Sequence, residues 1–247
     1  MSKFADSLPS KVWDRIWAKD SYAHPKIREQ RASEKLQNFI HQGFLINYED
    51  RVLDIGCGDG AILANMAVQF PTSNELYACD ISEVALRLAR ARFENLHISA
   101  NAICADVLSL PFPDNHFDKI TVFGVLEHVR DVDIALSQIH RVLKKTGEVV
   151  FCTSSKLSLI YPMRKVREYV RYWPYGYQRN YSSSEFIELI NPFFECIDPP
   201  LSIHTQFDFP ILKTAHLDLN LYAAIDRLIG VIYPMWGRYL IIRCGKW

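Results

Sequence analysis

The chain has 247 residues, 49% hydrophobic and 23% charged, a balance that supplies an ample apolar core and excludes extended disorder. Lysine plus arginine equals aspartate plus glutamate at 28 each, so no net field draws the protein toward nucleic acid or an acidic membrane, and no nucleic-acid partner is expected. Six cysteines at 57, 79, 104, 152, 196 and 244 include no C-x-x-C pair, which excludes a zinc ribbon or a dithiol redox centre and points to reduced, cytoplasmic thiols and no bound metal.

Residues 1–10 lack a basic start and an apolar h-region, and no run of about 18 apolar residues occurs, so neither secretion nor a membrane span is expected. Trp13, Asp14, Arg15, Ile16 and Trp17, with Tyr22 and His24, precede a helix-period stretch; residues 1–48 read as a helical lid or as a helix that simply packs its two tryptophans. Between Arg51 and Thr153, short apolar runs alternate with helix-period segments, the signature of βαβ units and a parallel sheet. The predicted strands are Arg51 to Ile55, Glu75 to Asp80, Ala102 to Asp106, Phe117 to Phe123 and Glu148 to Thr153.

Ile62, Met66 and Phe70 mark one face of the first intervening helix, which Pro71 stops. Ser82 caps a second helix with Val84, Leu88 and Ala91 inward. A third begins at Asp131 as N-cap, buries Val132, Leu136, Ile139 and Leu143, and closes with Lys144 and Lys145 in its last turn and Gly147 beyond. The pattern then loosens. Residues 154–181 and 201–236 read as insertions at an acceptor site, a helix is expected from Ser183 to Ile190, and Phe193 to Ile197 and Tyr239 to Arg243 supply two last strands. The whole chain reads as a single domain with a cofactor-binding core at 51–153.

In Val52-Leu53-Asp54-Ile55-Gly56-Cys57-Gly58-Asp59-Gly60, an apolar strand runs into a turn whose three glycines permit a ligand close to the backbone, just before a helix N-terminus. A structural turn is the competing explanation for the glycines alone. Asp80 closes the next strand 20 residues after Gly60, where an acid accepts hydrogen bonds from ribose hydroxyls, and Asp106 closes the third, where a carboxylate meets an adenine amino group. The spacing G-x-G-x-G differs from the G-x-G-x-x-G of nicotinamide-dependent dehydrogenases.

The stretch from Val52 to Phe151 resembles the class I S-adenosylmethionine-dependent methyltransferases, particularly those called methyltransferase type 11. Besides Val52 to Gly60, the resemblance rests on three runs. The first extends from Asp106 through Val107, Leu110, Pro111, Phe112, Pro113, Asp114 and Asn115 to Asp118; the others are Leu126-Glu127-His128-Val129 and Arg141-Val142-Leu143-Lys144-Lys145-Thr146-Gly147-Glu148. It implies an α/β, Rossmann-like, seven-stranded and mostly parallel sheet with helices on both faces and an antiparallel last strand. It implies S-adenosylmethionine as cofactor, S-adenosylhomocysteine as product, and a cofactor site made of Asp54, Gly56, Cys57, Gly58, Asp80, Ile81, Asp106, Val107, Phe123 and Gly124.

Methyl transfer needs mainly alignment of an acceptor with the sulfonium, plus a base when the acceptor carries a proton. His128 titrates near neutrality and is the candidate catalytic base, with a role in loop geometry as its alternative. Tyr22, Arg171, Tyr177 and Tyr181 are the candidate acceptor residues. Arg164, Arg167 and Arg171 share a helical face, either a solvated stripe or a site for an anionic group. Leu221, Ile225, Leu228 and Ile232 form an apolar face that packs in the core, closes an acceptor pocket or makes peripheral membrane contact. Together these features point to methyl transfer onto a small-molecule, sugar or lipid-linked acceptor. RNA or protein methylation, or cofactor binding without catalysis, is the alternative; neither a broad basic surface nor an Asn-Pro-Pro-Tyr signature is present.

Overall fold

The computed structural model describes residues 9–18, 25–41, 43–70, 75–158, 160–170, 173–203 and 239–246. In chain order these form α1 (Pro9–Trp17), α2 (Pro25–His41), β1 (Val52–Ile55), α3 (Ala61–Gln69), β2 (Leu76–Asp80), α4 (Glu83–Asn95), β3 (Ala100–Cys104) and β4 (Phe117–Phe123). A 3₁₀ turn at Leu126–His128 leads to α5 (Val132–Val142), β5 (Leu143–Ser154), α6 (Ile160–Tyr169), α7 (Ser183–Ile190), β6 (Phe194–Cys196), β7 (Leu201–Ile203) and β8 (Tyr239–Lys246).

The strands lie in the order β3-β2-β1-β4-β5-β8-β6. Strands β1 to β5 pair in parallel, and β8 runs antiparallel to both β5 and β6, as expected for a mostly parallel doubly wound sheet with an antiparallel last strand. The outermost position is shared. β6 covers the Cys244 to Lys246 end of β8, and β7 covers its Tyr239 to Ile241 end. Pro199 and Pro200 stand between the two, and proline has no amide hydrogen for the ladder, so one edge strand is broken into two pieces.

Period-two alternation sorts the core onto two faces. Leu53, Ile55, Ile120, Val122, Val149, Phe151 and Ile242 pack with residues of α5 and α7, whereas Val52, Ala78, Val150, Cys152 and Ile241 pack with residues of α2, α3 and α4. Asp54 and Phe123 share the α2 side by the same alternation, which brings α2 over the carboxyl ends of β1 and β4.

Three local expectations are corrected. α4 buries Ala85, Leu86, Ala89 and Phe93 instead of Val84, Leu88 and Ala91, because its first turn is anchored by Ser82, whose hydroxyl accepts from the Ala85 amide at 3.2 Å. β3 ends at Cys104, so Asp106 lies in the following loop. Asp131 stands at the N-cap of α5 as expected, although without a side-chain capping bond. Lys144, Lys145 and Gly147 belong to β5, not to the end of α5: Leu143 already pairs with Phe117, and the Lys144 ammonium binds the Asp118 carboxylate at 2.7 and 2.8 Å. α7 fits its expected bounds, with Ser182 and Glu185 forming a capping box.

No helix among the described residues is long and apolar enough to cross a membrane. Tyr22, His24, Arg171 and the apolar face from Leu221 to Ile232 lie outside the described residues.

Candidate active site at the carboxyl ends of the strands

The turn after β1 is built by main-chain bonds to β2. The amides of Gly56 and Cys57 both donate to the Cys79 carbonyl, at 2.8 and 3.0 Å, and the Gly58 amide donates to Asp80 Oδ2 at 2.9 Å. Gly56 and Gly58 have φ of 69° and 57°, in the left-handed region that disfavours side chains. A Cβ at Gly56 would fall 2.2 Å from Val125 Cγ2, and one at Gly58 would fall 2.6 Å from the Trp17 indole. These glycines therefore admit protein neighbours as well as opening the backbone, a packing demand the sequence did not reveal.

Asp54, 1% exposed, accepts the Thr121 hydroxyl on Oδ1 at 2.7 Å, while its Oδ2 is buried with no hydrogen-bond partner. Burial, aided by the nearby charge of Asp80, pushes its carboxyl up to about 7. Asp80 accepts Gly58 N on one oxygen and Ser82 N on the other, both at 2.9 Å; burial raises its carboxyl and these amides pull it back down. Cys57 is buried at the turn, and burial together with Asp54 and Asp80 holds its thiol well above the usual range. Ile81 is half-buried between Asp80 and the cap of α4.

Asp106 is exposed, and its Oδ1 accepts the Leu108 amide at 2.9 Å, shaping the turn that buries Val107. Phe123 stacks on Phe39 of α2 at 4.5 Å, and Gly124, with φ of 68°, donates its amide to Cys152 at 2.8 Å. The ends of β1 to β4 thus bring Asp54, the glycine turn, Asp80, Asp106 and Phe123 to one edge of the sheet.

Beyond Gly124, the 3₁₀ turn directs two neighbouring side chains into protein. Glu127, 2% exposed, accepts hydroxyls from Thr153 at 3.1 Å and Ser154 at 2.9 Å. His128 Nδ1 lies 2.9 Å from the Tyr177 carbonyl, so that nitrogen carries the proton and Nε2 the lone pair; burial holds the imidazole below its ordinary range. Its ring meets Trp13 edge-on at 4.9 Å, and Trp13 lies 6.2 Å from Tyr175, which in turn packs against Trp173 at 4.9 Å.

The acceptor candidates separate. Tyr177 is half-buried with the Arg130 guanidinium over its ring at 4.5 Å, beside His128. Tyr181 is 1% exposed and packs on Phe186 at 5.3 Å, a core position, with burial pushing its hydroxyl up to about 12. Of the expected arginine stripe, Arg164 is buried, donating to the Gln178 carbonyl at 2.8 Å and pairing with Glu168.

Residues 53–151 match a family model described as a methyltransferase domain. The chain is 37% identical over 107 residues to the ubiquinone/menaquinone biosynthesis C-methyltransferase UbiE of Cupriavidus necator, covering 43% of this chain and 44% of that protein. Residues 53–151 are thus similar in sequence to methyltransferase domains. The chain spans under half the length of the curated relatives it matches. Two solved structures share the fold over nearly the whole chain. One is a chain of the complex between the Haloferax volcanii Trm112 methyltransferase activator and its methyltransferase partner, with TM-score 0.70, 17% identity and 97% of both chains covered. The other is a Thermotoga maritima S-adenosylmethionine-dependent methyltransferase described as a possible histamine N-methyltransferase, with TM-score 0.64, 17% identity, and 97% and 100% covered.

Within the matched segment, distant sequence runs hold one another. Arg141 donates to the carbonyls of Leu110 at 2.8 Å and Phe112 at 2.7 Å and pairs with Asp114, fixing the loop that follows Asp106. Residues outside the matched segment also reach this edge: Asp14 and Trp17 come from the stretch read as a lid, whereas Arg28 was not singled out from sequence. Asp14 of α1 accepts the Ser82 hydroxyl at 2.6 Å, and Trp17 covers Gly58. Arg28 of α2 pairs with Asp59 at 2.8 Å, and Asp59 also pairs with Arg92 at 2.9 Å. Glu127 carried a signal in the sequence, an acid beside His128 after an apolar strand, that was assigned only to the motif.

Proposed function

We propose that the chain binds S-adenosylmethionine across the ends of β1 to β4 and transfers its methyl group to a small-molecule, sugar or lipid-linked acceptor. The observation that carries this is Asp54 Oδ2, a buried carboxylate oxygen without a partner beneath a turn built for close backbone approach. The amino-acid end of S-adenosylmethionine carries an ammonium group that satisfies such an oxygen. Asp80 retains a free lone pair on each oxygen for ribose hydroxyls, and Asp106, exposed beyond β3, suits the adenine edge.

When bound, the cofactor supplies an electrophilic methyl on a sulfonium. The protein's part is to align the acceptor and exclude water. Gly124 leaves the space beside Phe123 open, Glu127 holds the following turn through Thr153 and Ser154, and His128 presents Nε2 as a proton acceptor for a hydroxyl or amine. Trp13 packs edge-on against the His128 ring and the Tyr177 carbonyl holds its Nδ1, which supports Tyr177 as a neighbour of the acceptor side. We place α1 and α2 as a lid over the cofactor turn and residues 154–181 at the acceptor side. Six free thiols support a reducing, cytoplasmic setting.

Calorimetric titration with S-adenosylhomocysteine, with NAD in parallel, tests the cofactor assignment. Micromolar binding of S-adenosylhomocysteine alone is expected; binding of NAD alone, or of neither, overturns it. Labelled methyl transfer to a panel of phenols, amines, sugars and prenylated lipids then identifies the acceptor class.

A further inference from the structure

Lys35 lies on α2, outside the matched segment, and it is half-buried. Its ammonium sits 4.5 Å from the centre of the Tyr239 ring and 6.0 Å from that of Phe123, the residue that ends β4. Tyr239 pairs with Ser154 at the carboxyl end of β5, so both rings belong to the ligand edge of the sheet. No carboxylate among the described residues forms an ion pair with Lys35. The side chain stands on the same face as Asp54 and acts on its charge. An ammonium turned inward between two rings, without a carboxylate, forgoes hydration that an anion would restore.

Asp54 presents the opposite deficit, a buried carboxylate oxygen with no donor. The two deficits match a zwitterion. We propose that Lys35 and Asp54 together bind the amino-acid end of the methyl donor, Lys35 taking its α-carboxylate and Asp54 Oδ2 its α-ammonium. This rests on the cofactor assignment above, and it adds a recognition residue from α2 that the matched domain does not contain. Lys35 acts in binding and not in the chemical step. Its cation–π contacts serve as its resting place, to be exchanged for a charge-assisted hydrogen bond when the ligand arrives.

The test uses three thioether ligands: S-adenosylhomocysteine, its decarboxylated analogue S-adenosyl-3-thiopropylamine, and 5′-methylthioadenosine, which lacks the amino-acid end. Each is titrated calorimetrically into the wild-type chain, Lys35→Met and Lys35→Arg, with thermal unfolding recorded to confirm folding. Lys35→Met keeps the apolar stem and removes the charge. It should weaken S-adenosylhomocysteine by about tenfold to a hundredfold, leave both truncated ligands within about twofold, and be largely restored in Lys35→Arg.

Equal affinity of wild type and Lys35→Met for S-adenosylhomocysteine overturns the proposal, as does an equal loss for all three ligands. If Lys35→Met fails to fold, the wild type decides alone, since loss of the carboxylate from the ligand should itself cost about tenfold or more, and no cost overturns the proposal. Failure of the wild type to bind S-adenosylhomocysteine at all would instead overturn the cofactor assignment.

Discussion

Thr121 donates its hydroxyl to one oxygen of Asp54 across 2.7 Å and leaves the other oxygen buried with no partner. Asp54 is therefore a buried carboxyl maintained at a cost to stability. Its folded pKa of about 7 lies above the ordinary 3.8, so the folded state holds the proton more tightly than the unfolded chain, and stability falls as pH rises through that interval. Asp54→Asn keeps the acceptor for Thr121 and removes the ionisation. At pH 8 the variant should be more stable by on the order of 2 to 4 kcal/mol, with the gain vanishing toward pH 4. Thermal or urea unfolding at both pH values measures it, and an equal effect at both would contradict the assignment.

The same carboxyl sets a pH dependence for ligand binding. An ammonium favours ionised Asp54, so affinity for S-adenosylhomocysteine should fall progressively below pH 7, and binding at pH 6.5 should release protons. Titrations in buffers of different ionisation enthalpy count those protons. Asp54→Asn should abolish the release.

Asp80 has two duties, because its oxygens also receive the amides of Gly58 and Ser82. Asp80→Ala should weaken S-adenosylhomocysteine by roughly 1 to 3 kcal/mol and lower the melting temperature as well. Asp80→Asn keeps one acceptor oxygen and should show a smaller loss of stability. Unchanged affinity in Asp80→Ala would show that the ribose lies elsewhere.

How far these groups were legible in the sequence differs by residue. Gly56, Gly58, Asp80 and the parallel strands β1 to β5 could be read because strand alternation and glycine spacing are local signals. The face of α4 was misread because apolar and small residues occur on both sides of it, and only the Ser82 cap and the Asp14 contact fix its rotation. The third strand was drawn past its true end at Cys104, which put Asp106 on the strand instead of in the loop after it, since a strand end and an Asp-capped turn have similar composition. Lys35 carried no motif, and Asp14 and Trp17 were legible only as part of a stretch read as a lid or a packing helix. They reach the site through the docking of α1 and α2, a long-range packing event with no local spacing to betray it.

His128 is neutral at pH 7 with its proton on the nitrogen facing Tyr177. For a protic acceptor, His128→Gln should lower kcat by about 10² to 10⁴ while leaving affinity for S-adenosylhomocysteine intact. The wild-type rate should lose its base only below the ordinary histidine value of 6.5, because burial depresses the imidazole. A variant altered only in KM would make His128 a positioning residue.

Among the cysteines, Cys196 and Cys244 are paired across β6 and β8, with sulfurs 3.9 Å apart. The Cys244 thiol donates to Cys196 and holds it down to about 7, whereas burial and the neighbouring Glu83 raise the exposed Cys104. Limited iodoacetamide treatment at pH 7 should therefore label Cys196 before Cys104, read by peptide mass spectrometry. Preferential labelling of Cys104 would contradict the sulfur pairing.

The position of α1 ties together two halves of the reaction. Through Trp17 and Asp14 it rests on Gly58 and Ser82, and through Trp13 it rests on His128. A ligand that lifts or presses either end of this helix changes the free energy of the other end, so donor and acceptor affinities are thermodynamically linked. Linkage is reciprocal: whatever factor a bound donor applies to acceptor affinity, the acceptor must apply to the donor. Under the proposed function, nine residues of helix thereby touch both the donor turn and the His128 side of the site.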